Sequence, residues 1–136
     1  ILSGEPIDVF NNGDHCRDFT YIDDVVSAVV KAVNYQSMKT QSINENSIDN
    51  PGDMKVSSVF NVGNNRPEKL MHVINLLEKE IGKVAIKNFL PLQPGDVQET
   101  FADIELSTAE LGYLPSTTIE EGIRKFVSWY RDFYGV

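Results

Sequence analysis

The residues from Asp23 to Val33 constrain this chain most. Asp23 and Asp24 precede Val25, Val26, Val29, Val30 and Val33, apolar positions that fill more than one face of a helix drawn through them. Acids in that place read as a helix start, with one of the two as cap. β-Branched side chains lose rotamer freedom in a helix and are poor choices for an exposed one. A helix with so much apolar surface is expected to lie buried against a sheet or other helices.

The remaining pattern is mixed. Ile7-Asp8-Val9-Phe10 alternates as a short strand and runs into the turn residues Asn11-Asn12-Gly13-Asp14. Phe19-Thr20-Tyr21-Ile22 and Ser57-Ser58-Val59-Phe60-Asn61-Val62 read as further short strands. Pro67 suits the first turn of a helix carrying Leu70, Val73, Ile74, Leu77 and Ile81, which Gly82 ends. Val84 to Leu92 reads as extended, Gly95-Asp96 as a tight turn, Glu99 to Asp103 as extended, and Ile104 to Leu111 as a short helix. Thr117 with Glu120, or Thr118 with Glu121, offers a capping box for a last helix. Its stripe is Ile119, Ile123, Phe126, Val127, Tyr130 and Phe133, flanked by Trp129 and Tyr134. Between Ser37 and Lys55 the apolar pattern lapses, and we expect a mobile surface loop over 37–55. The whole reads as one α/β domain over 1–136, with too few strands for an independent doubly wound sheet.

With 136 residues the chain is long enough for one core. A net charge of −8 repels nucleic acid and anionic membrane, and no apolar run is long enough to span a bilayer. One cysteine, Cys16, permits no internal disulfide and suits the cytoplasm. Two distant histidines and that cysteine make no metal-ligand spacing. The N-terminal residues lack the order of a signal peptide, and a first residue other than Met suggests a processed or truncated chain.

Two places offer binding chemistry. Arg17 carries a permanent charge and can grip a phosphate with two parallel hydrogen bonds; its plainer reading is a surface arginine paired with Asp14 or Asp18. In Gln93-Pro94-Gly95-Asp96, a turn carboxylate can accept from vicinal sugar hydroxyls while Gln93 offers a donor and an acceptor; the plainer reading is an ordinary turn. Other arrangements yield to structural readings. Asp23 and Asp24 are caps rather than an acid–base pair, and His15 beside Cys16 lacks the geometry of a thiol–imidazole pair. His72 lies off the apolar stripe and is expected to be solvated, while Arg66 is either an anion contact at a helix start or a free surface arginine. The aromatic residues of the last helix read as core or docking surface. The chain has no Gly-x-Gly-x-x-Gly or Gly-x-x-Gly-x-x-Gly cradle. By itself it reads as a binding domain without a catalytic engine.

Four segments carry a resemblance: Gly13 with Arg17-Asp18-Phe19-Thr20-Tyr21-Ile22-Asp23-Asp24-Val25-Val26; Phe60-Asn61-Val62-Gly63 before Pro67; Leu90-Pro91-Leu92-Gln93-Pro94-Gly95-Asp96-Val97 with Thr100-Phe101-Ala102-Asp103; and Leu111-Gly112-Tyr113 through Trp129-Tyr130. They resemble the C-terminal part of nucleotide-sugar epimerases and dehydratases of the extended short-chain dehydrogenase/reductase family, most of all UDP-glucuronate 4-epimerases of capsule and O-antigen pathways. The resemblance implies a substrate-binding portion whose Rossmann core, with its NAD site and tyrosine base, lies N-terminal of Ile1. It implies a UDP-sugar site in which Phe10 lies by the uracil, Arg17 holds the pyrophosphate and Asp96 lies near the ribose. Gln93 stands where many relatives carry a second phosphate-binding arginine. The implied parent is a cytoplasmic homodimer that inverts C4 of the sugar through a 4-keto intermediate, and this chain alone is expected to be inactive. Sister UDP-galactose 4-epimerase, decarboxylase and 4,6-dehydratase activities, and a stand-alone nucleotide-sugar binding module, are the alternatives.

Overall fold

The computed structural model describes residues 1–41 and 58–136. The chain opens with strand β1, Ile7–Val9, and turns sharply over Phe10–Gly13. Asn11 and Asn12 take left-handed backbone angles, φ 49° and 50°, which asparagine tolerates better than most residues. Gly13 follows at φ 84°, where a Cβ would also run into the Met71 side chain. This turn leads into β2, Cys16–Arg17, and then α1, Ile22–Gln41. Past the undescribed residues come β3, Glu68–Lys69; α2, Leu70–Ile81; β4, Lys87–Phe89; α3, Glu105–Leu111; and α4, Ile119–Tyr134.

Two small sheets organise these pieces. β1 and β4 pair in parallel, with Ile7 opposite Lys87 and Val9 opposite Phe89. β2 and β3 pair antiparallel, with Cys16 opposite Lys69 and Arg17 opposite Glu68, and Cys16 also bridges Glu99. The core is thin: Val9, Ala28, Val73, Ile74, Tyr113 and Val127 are buried, and α4 packs on α2. Thr118 caps α4 by accepting from Glu121 N, the N-cap half of the second candidate box, while the Glu121 side chain turns to Lys125. Gly82 and Gly112 end α2 and α3 as expected.

Several expectations shift. The second strand is Cys16–Arg17, and Phe19 to Tyr21 is irregular, because Asp18 is drawn into backbone contacts of its own. Residues 58–62 form no strand among the described residues: Asn61 is tied instead to Asp103 and Ser107. α2 begins at Leu70 rather than at Pro67, because β3 intervenes. α1 continues to Gln41, so the loop expected from Ser37 begins as helix; the rest of 37–55 lies outside the described residues. Asp23 and Asp24 lie inside its first turn, and Asp24 reaches away to the N–H groups of Ser116 and Thr117 at 3.3 and 3.1 Å.

The apolar helix is not buried in this chain. Ala28 and Asp24 face inward, while Ile22, Val26, Val29, Val30 and Val33 stand exposed. On α4, Phe126 and Phe133 also stand out of the core; Ile119, Gly122 and Val127 form its inward face.

Candidate functional site

Arg17 and Asp96 are 79 positions apart in sequence and meet in space. Arg17 Nη2 donates to Asp96 Oδ1 at 2.8 Å. The chain brings them together through backbone pairing: Cys16 N donates to Gln98 O, and Thr100 N donates to Cys16 O. Arg17 Nη1 adds bonds to the carbonyls of Cys16 and Gln98, at 2.9 and 3.0 Å. Three of its five N–H donors are thus engaged in orienting the guanidinium, and two have no partner among the described residues. Its partner is neither Asp14 nor Asp18. Asp14 holds the Gln98 amide at 2.8 Å, and Asp18 holds loop backbone.

Asp96 sits in the expected turn, with Gly95 at φ 85° and Asp96 N donating to Gln93 O at 3.2 Å. The turn is ordinary in form, and its carboxylate still serves the site: Oδ1 caps Val97 N at 2.9 Å and accepts from Arg17. Gln93 closes the turn through its carbonyl, and its side chain is exposed. Phe10 is half-buried at the head of the turn after β1. Leu90 N donates to Val9 O and Asn12 N donates to Leu90 O, both at 2.9 Å, stitching that turn to the segment leading into Gln93. The four expected site residues therefore lie on two segments tied side by side, and Arg17 and Asp96 among them are joined by a side-chain hydrogen bond.

Two participants escaped the sequence reading. His15 is buried beside Asp96, with Nε2 3.4 Å from Oδ2. The Gln98 carbonyl gathers Cys16 N, Arg17 Nη1 and His15 Nδ1. No spacing signal announces a contact across more than 80 positions. Arg66 is exposed and His72 is largely solvated, 3.4 Å from Glu120. Among the described residues no cluster of His, Cys, Asp and Glu is placed to hold a metal, and no helix is long and apolar enough to cross a membrane. A separate groove of about 310 Å³ between Phe19–Ile22 and α4 has no charged lining and includes neither Arg17 nor Asp96.

Fold and site give a mixed α/β chain with an oriented arginine beside a turn carboxylate. The chain belongs to the GDP-mannose 4,6-dehydratase family, whose model matches residues 1–126. It is 38% identical over 134 residues to the protein CapI of Staphylococcus aureus, covering 98% of this chain and 40% of that protein. It is 36% identical over 138 residues to UDP-glucuronate 4-epimerase 4 of Arabidopsis thaliana, covering 98% of this chain and 30% of that protein. Among solved structures it resembles the UDP-glucuronic acid 4-epimerase of Bacillus cereus in complex with UDP-glucuronic acid and NAD. There the TM-score is 0.74 and the identity 29%, covering 98% of this chain and 37% of that one. The chain thus spans about two-fifths of the length of the first curated relatives it matches.

Proposed function

We propose that this chain is the UDP-sugar-holding part of an NAD-dependent UDP-glucuronate 4-epimerase. The observation that carries the reading is the Arg17–Asp96 pair, a cation with two N–H donors to spare beside a carboxylate with lone pairs to spare. A nucleoside diphosphate presents the complementary groups, phosphate oxygens and ribose hydroxyls. The epimerases among the relatives support the substrate and the reaction class. Phe10 then takes the uracil side, Arg17 the pyrophosphate and Asp96 the ribose. Gln93, being neutral, contributes hydrogen bonds rather than a second phosphate charge.

NAD is the cofactor in the solved relatives. The residues of this chain do not fit it: the sequence has no glycine-rich cradle, and in its one Tyr-x-x-x-Lys, Tyr35 to Lys39, the tyrosine hydroxyl bonds Glu110. We assign the nicotinamide chemistry, together with the Rossmann core and the contacts of a homodimer, to the rest of a cytoplasmic parent protein. Residues 1–136 form its substrate-binding domain and are inactive alone. Their work is to hold the UDP as a fixed handle while the hexose reorients, so that binding energy from a non-reacting group positions the reacting one.

The test is product analysis by NMR of the full-length protein given UDP-glucuronate. The reading expects a UDP-sugar inverted at C4 with its carboxylate intact. Loss of carbon dioxide, loss of water, or turnover of UDP-glucose alone assigns the protein to a sister activity. In a parallel titration, Arg17→Ala should weaken UDP binding at least about tenfold, the scale of losing a charge-assisted pair of hydrogen bonds. Undiminished UDP binding by that variant would remove Arg17 from the site.

A further inference from the structure

We propose that His15 is a positioning residue for Asp96, fixing the carboxylate orientation that the nucleotide ribose meets; this rests on the UDP-sugar reading above. His15 is 5% exposed, and a buried imidazole ordinarily has its nitrogens paired. Here both ring nitrogens face oxygen acceptors. Nδ1 lies 3.4 Å from the Gln98 carbonyl and Nε2 lies 3.4 Å from Asp96 Oδ2. The Nε2 contact is not aligned as a hydrogen bond, and Nε2 has no other partner among the described residues. A singly protonated ring can donate to only one of the two oxygens.

The competition between them is unequal. The Gln98 carbonyl already accepts from Cys16 N at 2.9 Å and from Arg17 Nη1 at 3.0 Å, which occupies its two lone pairs. Asp96 Oδ1 is served by Arg17 Nη2 and by Val97 N. Oδ2 faces His15 and no other donor among the described residues. A proton on Nε2 is directed at the under-served oxygen, and a small rotation of the carboxylate aligns it. The main chain beneath the imidazole is pinned: the His15 carbonyl accepts from Leu70 N at 2.8 Å at the start of α2. The charged groups around it are Asp96 on its turn, Arg17 on β2 and Asp14, which holds the Gln98 side chain. Arg17 and His15 thus bracket one carboxylate, one on each oxygen, and leave the outward lone pairs for a vicinal diol.

The test uses the full-length protein, with UDP and 2′,3′-dideoxy-UDP as calorimetric probes. His15→Phe keeps a ring in the buried site and removes both nitrogens; His15→Gln restores an N–H of similar reach. His15→Phe should weaken UDP about fivefold, the scale of one hydrogen bond, and leave the dideoxy probe unchanged. His15→Gln should stay close to wild type. The KM for UDP-glucuronate should rise with kcat held, because the handle does not enter the chemical step. With Asp96→Asn already in place, His15→Phe should add nothing further. Equal losses for both probes, additive losses with Asp96→Asn, or no loss where Arg17→Ala abolishes binding would each overturn the role of His15 alone. A wild-type protein that fails to bind UDP overturns the site reading and this role with it.

Discussion

Asp18 and Gly63 approach so closely that a Cβ on Gly63 would lie 2.6 Å from Asp18 Oδ2 and would collide with the Ala102 methyl. That approach lets one carboxylate serve two loops. Asp18 Oδ1 accepts from Asn64 N at 2.9 Å, and Oδ2 accepts from Asn65 N and Ala102 N, both at 3.0 Å. Gly63→Ala should destabilise the chain by about 1–3 kcal/mol through overpacking. Asp18→Asn should cost about as much, because an amide turns one N–H toward another. Urea unfolding of the two variants measures both, and midpoints equal to wild type would show that the loops are held elsewhere.

Tyr113 closes the same loop from the other side. It is 1% exposed, and its hydroxyl donates to the Gly63 carbonyl at 2.8 Å. Burial, with the carboxylates of Asp24 and Asp18 adding to it, holds the phenol above its ordinary value of 10.0. A raised folded value means stability that is intact below the ordinary value and lost as pH rises through the folded one. Tyr113→Phe should cost about 1–3 kcal/mol at neutral pH, since the Gly63 carbonyl loses its donor. It should also flatten the alkaline fall of Tm. An alkaline limb identical in the variant would assign that transition to another group.

At the acid end the group to watch is Glu78. It bonds Lys87 of β4 and accepts from Ala85 N at 2.8 Å, joining α2 to the parallel sheet. The Lys87 hydrogen bond, and then the Ala85 N–H, hold its carboxyl below the usual 4.5. A depressed folded value gives stability that is present above 4.5 and lost as pH falls through the folded value. Thermal melts from neutral pH downward should therefore show a steeper loss of Tm below 4.5 in wild type than in Glu78→Gln. Parallel curves would remove Glu78 from the acid transition.

Local chemistry was the legible part of this chain. The Asn11-Asn12-Gly13 turn, the Gly82 and Gly112 helix ends and the Thr118 cap follow from backbone preferences that the residues carry wherever they stand. Arg17 and Asp96 were legible one at a time, each as a group able to bind a ligand. Their pairing was not, because it is made by Cys16 bridging Glu99 across a sequence distance that no periodicity reports. The same reason hid His15, whose significance lies in Asp96 and Gln98 rather than in its neighbour Cys16. The strands expected at Phe19 and Val59 failed where side chains took over the backbone: Asp18 draws the segments on either side of it into loop contacts, and Asn61 and Ser107 bond across to main chain. β-Propensity describes a side chain on a pleated surface and carries no weight where no such surface forms.

The outward face of α1 gives the last prediction. Ile22, Val26, Val29, Val30 and Val33 are 51–66% exposed, while the inward side packs on α3, with Lys31 bonded to the Gly112 carbonyl. An apolar stripe of this length is costly to hydrate and marks a contact surface. The 136-residue chain should therefore self-associate in solution and bind a hydrophobic dye. Val26→Lys with Val30→Lys should shift it toward monomer and reduce dye binding with little change in Tm, because both side chains already face solvent. In the full-length protein the same pair should lower Tm by roughly several degrees, since burying unpaired charge against a partner surface is destabilising. Sedimentation and thermal melts of both lengths make the comparison. An isolated wild-type chain that stays monomeric with low dye binding, or a full-length variant that melts like wild type, would show that nothing docks on this face.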